Sequence, residues 1–343
     1  MKIALDAMGH DAGPAPLVEG AVLALREFTQ ISRLLLTGDT AQLEALLKKH
    51  NCNDSRIEIV HTTQVVEMHD SGLDAVRKKK DSSISRAVDL VKSGEAEAVV
   101  SAGNTGAAVA ACTIKWRMLL GIDRPAIAAM MPTEKGRHFV LCDAGANPDP
   151  TQQHLEDNAF MAVAYCEHVL NRPNPTVGLL SNGTEEFKGN ALTLATHGLL
   201  KASGLNFYGN VEGHDLFEGT VDVVVADGFT GNVVLKTSEA LAKSIFRLLK
   251  RELYANPVRK AGAWLCKPAF LSVRAVTNAD EYGGMPLLGV DGNCIIAHGG
   301  SSPFAVKNAI RAACSSIQHP LNPHIVEAVQ RSHDSAKNAP QPA

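Results

Sequence analysis

Short apolar runs rich in β-branched residues alternate with helix-period segments along almost the whole chain. The runs at 2–5, 33–37, 56–60, 97–100, 126–130, 138–142, 176–180, 206–208, 221–226 and 294–297 predict strands. Several are apolar through most of their length, as strands covered on both faces are. Pro14 and Pro16 open a predicted helix over 17–28, while Ser82 and Ser83 open one that Gly94 stops. This alternation predicts an α/β fold with three α/β/α layers, a mostly parallel sheet carrying helices on both faces. There is no internal repeat. Residues 332–343, which end in Ala-Pro-Gln-Pro-Ala, are expected to form a disordered tail.

In sheets of this kind ligands sit beyond the carboxyl ends of the strands, so the residues that follow each run carry the chemistry. Here they are Asp6 with Gly9; Ser101, Gly103, Asn104, Thr105 and Gly106; and Asp143 with Asn147. Farther along come Asn182, Asn210 with Glu212, then Asp227, Gly228, Thr230 and Asn232, and finally His298 with Ser301. So many polar and glycine-bearing turns on one expected edge predict a polar cleft. The 101–106 turn suits a phosphate or another anion, because glycine admits close approach and a helix start offers free N–H groups. A tight strand-to-helix turn capped by Asn104 or Thr105 is the competing reading. The turn is neither G-x-G-x-x-G nor a P-loop. Asp143 and Asp227 are candidate site carboxylates or helix caps. Lys188, within the segment 185–190 that ends at Asn190, is a candidate charge for an anionic substrate or a solvated surface lysine. His298 is a candidate acid, base or donor, or a capping histidine.

The chain has 343 residues, a formal charge of -3 and 20% charged residues, which fits a globular domain and excludes a generally nucleic-acid-coated protein. No run is long and apolar enough for a signal peptide or a membrane span, and the expected location is the cytoplasm. The 7 cysteines lack C-x-x-C spacing and read as buried apolar residues. There is no G-x-S-x-G or H-E-x-x-H, and no metal site is predicted. Charge is uneven, however. Residues 236–274 hold nine Lys or Arg against two acids, a local +7. Leu241, Ile245, Leu248, Leu249 and Leu253 share one helical face, and Trp264 and Phe270 follow beyond Asn256-Pro257. A basic amphipathic hairpin over 236–275 is expected, contacting a membrane surface through Arg247, Lys250, Arg251, Trp264 and Phe270, or a second copy, or both. An ordinary packed helix with a solvated face is the plainer alternative. A second basic cluster, Arg77 to Lys80, suits an acidic protein partner or is a solvated helix end.

The motifs KIALDAMGHD, RKKKDSS with AVVSAGNTGA, LCDAGAN, VGLLSNGTEEFKGN, GNVEGHD, VVVADGFTGNVVLKT, and EYGGMPLLGVDG with HGGSS occur in this order between Lys2 and Ser302, within a resemblance that runs from Met1 to about Ala313. Together they resemble the phosphate acyltransferase family PlsX, acyl-[acyl carrier protein]:phosphate transacylases of bacterial phospholipid synthesis. His10, Ala144, the missing proline near Gly72 and the extra glycine after His298 depart from the family pattern. LCDAGANPDPTQQHL and DGFTGN also look like pieces of phosphate acetyltransferases, implying the fold shared with isocitrate and isopropylmalate dehydrogenases, as one two-lobed catalytic domain over 1–331.

The resemblance implies transfer of an acyl group from acyl carrier protein to inorganic phosphate, with no cofactor. It implies a homodimer resting on the inner face of the membrane, where a glycerol-phosphate acyltransferase consumes the product. Site roles follow as expectations. Phosphate goes to the 101–106 turn and the Thr230–Asn232 helix start, and Lys188 is its charge partner. Asp143 or Asp227 orients phosphate or acts as base, and His298 or Ser301 assists the oxyanion or leaving sulfur. A phosphate acetyltransferase acting on acyl-CoA is the alternative. A metal-dependent dehydrogenase of the same fold is disfavoured, since clustered aspartates are not evident.

Overall fold

The structure, a computed structural model, describes residues 1–277 and 279–338, the side chains of 279 and 333–338 excepted. The first elements are β1 (Lys2–Asp6), α1 (Ala15–Glu27), β2 (Arg33–Gly38), α2 (Thr40–Lys49), β3 (Ile57–His61), α3 (Gly72–Lys78) and α4 (Ser83–Lys92). Next come β4 (Ala98–Ser101), α5 (Thr105–Trp116), β5 (Ala126–Pro132), β6 (His138–Cys142), α6 (Gln152–His168), β7 (Val177–Leu180) and α7 (Ala191–Ala202). The chain continues through β8 (Phe207–Val211), α8 (Gly213–Glu218), β9 (Val223–Val225), α9 (Gly228–Leu253), α10 (Pro257–Leu265) and α11 (Lys267–Thr277). It closes with β10 (Met285–Leu288), β11 (Cys294–Ile296), α12 (Pro303–Gln318) and α13 (Asn322–Asn338).

All the strands join one 11-stranded sheet in the order β3-β2-β1-β4-β11-β10-β5-β6-β9-β7-β8. Helices cover both faces, as the doubly buried strands require: Ile3, Ala4 and Leu5 of β1 are wholly buried. On one face of the first half of the sheet, Leu17 and Ala21 of α1 meet Val306 and Ile310 of α12; on the other, Val88 of α4 and Ala108 of α5 belong to a core cluster that extends to Leu235 of α9. Residues 332–338, expected to belong to a disordered tail, are helical as the last part of α13. Residues 339–343 lie outside the described residues.

The centre of the sheet reverses the chain direction. From β3 to β11 the strands are parallel, but β10 is antiparallel to β11 and β5, and β6 is antiparallel to β5. Beyond β6, strands β9, β7 and β8 are parallel to it. The two halves of the sheet therefore run in opposite directions. Asp6, Ser101 and His298 follow strands at one edge, while Asp143, Asn182 and Asp227 follow strands at the other. The single shared edge expected from the sequence does not form. Strand β10 makes the transfer between halves: Met285 and Pro286 pair with β11, whereas Leu287 and Leu288 pair with β5. Each half needs ladder bonds on one side only, which accommodates Pro286 in a central strand.

Candidate active site

The first polar group is built from the turns after β1, β4 and β11. Ser101 Oγ donates to Asp6 Oδ2 at 2.7 Å, and Gly103 N–H donates to Ser101 Oγ at 3.3 Å. Asp6 Oδ1 is buried with no partner. The β1 and β4 turns interlock so closely that a Cβ on Gly9 would stand 2.7 Å from Gly103 Cα. Only glycine permits that approach. The leading N–H groups of α5, on Thr105 and Gly106, have no acceptor among the described residues.

Asn104 is occupied in holding the loop. Its Oδ1 accepts from Ala107 N–H at 3.0 Å to cap α5, and its Nδ2 donates to the carbonyls of Glu67, Met68 and Asp70. Two residues that sequence reasoning gave no role complete this edge. His10 Nδ1 accepts from Ala12 N–H, so its Nε2 carries the proton and donates to Ser301 O at 2.8 Å. Asp11 N–H donates to Gly299 O at 2.9 Å. Their signal was position, since both follow β1 inside KIALDAMGHD. His298 Nδ1 likewise accepts from Gly300 N–H at 3.0 Å, leaving Nε2–H on an exposed ring.

The second group lies at the opposite edge. Asp143 Oδ1 accepts from the N–H groups of Ile127, Gly145 and Ala146, each at 2.9 Å, and Oδ2 from Asn147 at 2.7 Å and Ala146 at 3.1 Å. Asn147 O accepts from Gly228 N–H at 2.9 Å, and Asn232 packs on Gly145. A Cβ on Gly231 would meet Asp143 O at 2.0 Å, so α9 can start here only with glycine. Asp143 is thus the hub of a backbone turn, with nearly all its acceptor capacity taken. Asp227 caps α9, accepting from Thr230 N–H at 2.8 Å and Thr230 Oγ1 at 2.7 Å.

Asp227 and Thr230 also line a small cavity of about 390 Å³ with Ser181, Asn182, Gly189 and Asn190. Asn190 caps α7 through Thr193 N–H. Asn210 Nδ2 donates to Glu185 O, whereas Asn210 Oδ1 and Ser181 Oγ are buried without partners. Glu212 N–H donates to Asp215 Oδ2, so its backbone serves the start of α8. Half-buried Lys188 sits 5.8 Å from the Phe187 ring and makes no ion pair among the described residues. No hydrogen bond joins the first group to the second among the described residues.

The basic segment, expected as an amphipathic helical hairpin, forms α9, α10 and α11. Its apolar positions divide into two stripes, because α9 has apolar residues on adjacent faces. Leu241, Ile245 and Leu248 are exposed. Leu235, Ala242, Phe246, Leu249 and Leu253 line an open groove of about 1040 Å³, bordered by Ala263, Phe270 and the exposed Trp264 and Leu271 and floored by Ala129, Met285 and Ile296. This groove reaches His298, Gly300 and Ser301 of the first group. Arg247 and Lys250 belong to its lining, and Arg251 pairs with Glu252 at 3.4 Å.

Electrostatics separate these carboxyls from ordinary surface acids. Burial pushes the Asp6 carboxyl up from its usual range, against the hydroxyls of Ser83 and Ser101. Burial also pushes Asp143 up, opposed by its backbone donors. The neighbouring Cys142 thiol is raised well above its usual value by burial, so it is an inert apolar residue rather than a nucleophile. Cys266, in contrast, is exposed. No group of three or more His, Cys, Asp or Glu suited to a metal ion is gathered among the described residues.

This architecture is that of the phosphotransacetylases. A phosphotransacetylase from Streptococcus pyogenes superposes with a TM-score of 0.60 at 19% identity, covering 93% of this chain and 94% of that one. A putative 4-hydroxythreonine-4-phosphate dehydrogenase from Salmonella typhimurium superposes with a TM-score of 0.51 at 15% identity, over 92% and 98% of the two chains. Sequence narrows the class. Residues 1–322 match the family described as fatty acid synthesis protein. A phosphate acyltransferase from Geotalea daltonii is 49% identical over 333 residues, 97% of this chain and 95% of that protein. One from Akkermansia muciniphila is also 49% identical, over 337 residues and 96% of each. The chain belongs to this family of phosphate acyltransferases, the one its motifs resemble.

Proposed function

We propose that the enzyme transfers the acyl group of acyl-[acyl carrier protein] to inorganic phosphate, giving acyl phosphate and free carrier thiol for glycerophospholipid synthesis. The observation that carries this reading is the cradle at the first edge. Two unbonded N–H groups open α5, glycine backbones lie against each other, and a buried carboxyl with one unpartnered oxygen stands behind them. A phosphate oxygen held there attacks the thioester carbon, the carbonyl electrons move to oxygen, and their return expels sulfur. The buried Asp6 carboxyl, its pKa raised by burial, backs the cradle and holds the Ser101–Gly103 turn in place, while the Thr105 and Gly106 N–H groups bind the phosphate oxygens. His298 Nε2–H donates to the departing sulfur. Asp143, Asn147, Gly228 and Asn232 hold the second lobe's turn in shape and take no chemical step.

Exposed Arg77 and Lys80 lie beyond the Asn104-clasped loop and suit an acidic carrier, which favours acyl carrier protein over coenzyme A. The outward stripe of Leu241, Ile245 and Leu248, with Arg251, serves a membrane surface and a homodimer contact. No helix among the described residues is long and apolar enough to cross a membrane. Lys188 lies at the opposite edge, outside the cradle, and takes no part in phosphate binding. Steady-state kinetics with palmitoyl-carrier protein and phosphate test these roles. His298→Ala and Asp6→Asn should each lower kcat by about a hundredfold, and Lys188→Ala should leave KM for phosphate unchanged. Wild-type kinetics in the first two would remove the first edge from the reaction.

A further inference from the structure

We infer that the 1040 Å³ groove lined by α9, α10 and α11 is the acyl-chain site, holding a long saturated chain with its carbonyl end at the His298–Ser301 turn. This rests on the reading of the first edge as the reaction centre. The volume reaches the upper end of the about 300–1,000 Å³ typical of small-molecule sites, more than a short acyl group needs.

The lining is arranged for a chain. Leu235, Phe246, Leu253 and Phe270 supply apolar walls, and no carboxylate other than Glu239 and Asp280 reaches the cavity among the described residues. Leu235 and Leu253 are separated by eighteen helical steps, about 27 Å along α9, so the cavity is long rather than round. Lys243, Arg247, Lys250, Lys260, Lys267 and Arg274 border it. Their aliphatic stems extend the apolar wall while their charged heads stay in water. Cations at the border and hydrocarbon inside match one occupant: an acyl chain carried by an acidic protein, or leaving as its anionic phosphate. The polar end of the cavity fixes the direction, because His298, Gly300 and Ser301 are lining residues and Ser301 O is held by His10. α9 would thereby measure chain length.

The test uses the full chain and two readouts, calorimetric binding of octanoate, laurate and palmitate, and kcat/KM for the corresponding acyl-carrier substrates. Wild type should gain about fourfold in affinity per added methylene. Ala263→Trp, which fills the far part of the cavity, should abolish that gain between laurate and palmitate and shift kcat/KM toward lauroyl substrate. Phe270→Ala, which enlarges it, should leave octanoate unchanged and relax selection against chains longer than palmitate. Equal chain-length slopes in wild type and both variants, with native circular dichroism, would overturn the inference while leaving the reaction intact. So would palmitate failing to bind while Ala263→Trp converts a dimer to monomers, since a second copy would then fill the cavity. Palmitate binding at this cavity with no phosphate-dependent turnover would instead sink the proposed reaction and leave the chain site standing.

Discussion

Replacing Asp143 separates a structural carboxylate from a chemical one. Four backbone N–H groups converge on it, from Ile127, Gly145, Ala146 and Asn147. Hydrogen bonds to a charged group contribute about 1.5–3 kcal/mol each, and a buried donor left unmade costs about 1–3 kcal/mol. In Asp143→Asn one oxygen can keep the Ile127, Gly145 and Ala146 donors. The new amide then opposes Asn147 N–H across the former 2.7 Å bond. The expected loss is about 2.5–6 kcal/mol, one charge-assisted bond and one unsatisfied donor. Asp143→Ala forfeits all four bonds, and even with partial rehydration of the half-exposed 145–147 turn it should lose about 4 kcal/mol or more. Losses of this size are a large part of an ordinary stability of about 5–15 kcal/mol. Urea unfolding followed by circular dichroism measures them, with turnover assayed under conditions where each variant is folded. Turnover per folded molecule should fall by less than about tenfold, because no step uses this carboxyl. An Asp143→Asn enzyme as stable as wild type to within about 0.5 kcal/mol but slowed by about a hundredfold would refute the reasoning and return Asp143 to the chemistry.

Three further outcomes are expected. Asp6 has its carboxyl raised by burial, so the native state holds this proton more tightly than the unfolded chain; the associated stability is complete below pH 3.8 and is lost as pH rises through the raised value. The stability of Asp6→Asn relative to wild type should therefore increase as pH climbs above 3.8, and a pH-independent difference would contradict the assignment. Gly9→Ala should destabilise by about 1–3 kcal/mol, because its Cβ meets the backbone of Gly103 rather than a movable side chain; a neutral effect in urea titration would mean the two turns are not interlocked. Neutralising Arg247, Lys250 and Arg251 together should weaken cosedimentation with anionic vesicles by about a hundredfold, at about 1 kcal/mol per charge, and unchanged binding would remove the membrane role of this surface.

The buried strands were legible because strands covered on both faces read as continuous apolar runs; those at His138–Cys142 and Arg33–Gly38 need no partner information to be seen. Strand Met285–Leu288 was not legible. Its proline and the flanking Gly283, Gly284 and Gly289 are loop signals locally, and only pairing with two different neighbours makes it a strand. That short strand, with β5, reverses the second half of the sheet, so the common edge assumed from alternation alone was wrong. Site residues were legible as positions but not as roles. Asn, Asp and Ser at strand ends serve equally as ligands and as caps, and Asn104, Asn190 and Asp227 all cap helices. Asp6 differs, because an oxygen lacks a partner, and no spacing in the sequence records an unmade hydrogen bond. The basic segment was visible as charge, but the inward stripe of α9 became meaningful only because α10 and α11 line the same open groove.

The most direct measurement of the central claim follows carrier thiol and acyl phosphate together. Purified enzyme is mixed with palmitoyl-carrier protein, with and without inorganic phosphate, and acyl phosphate is trapped as the hydroxamate. One thiol released for each acyl phosphate formed, only when phosphate is present, is the predicted result. Thiol release independent of phosphate, or release without acyl phosphate, would contradict the account.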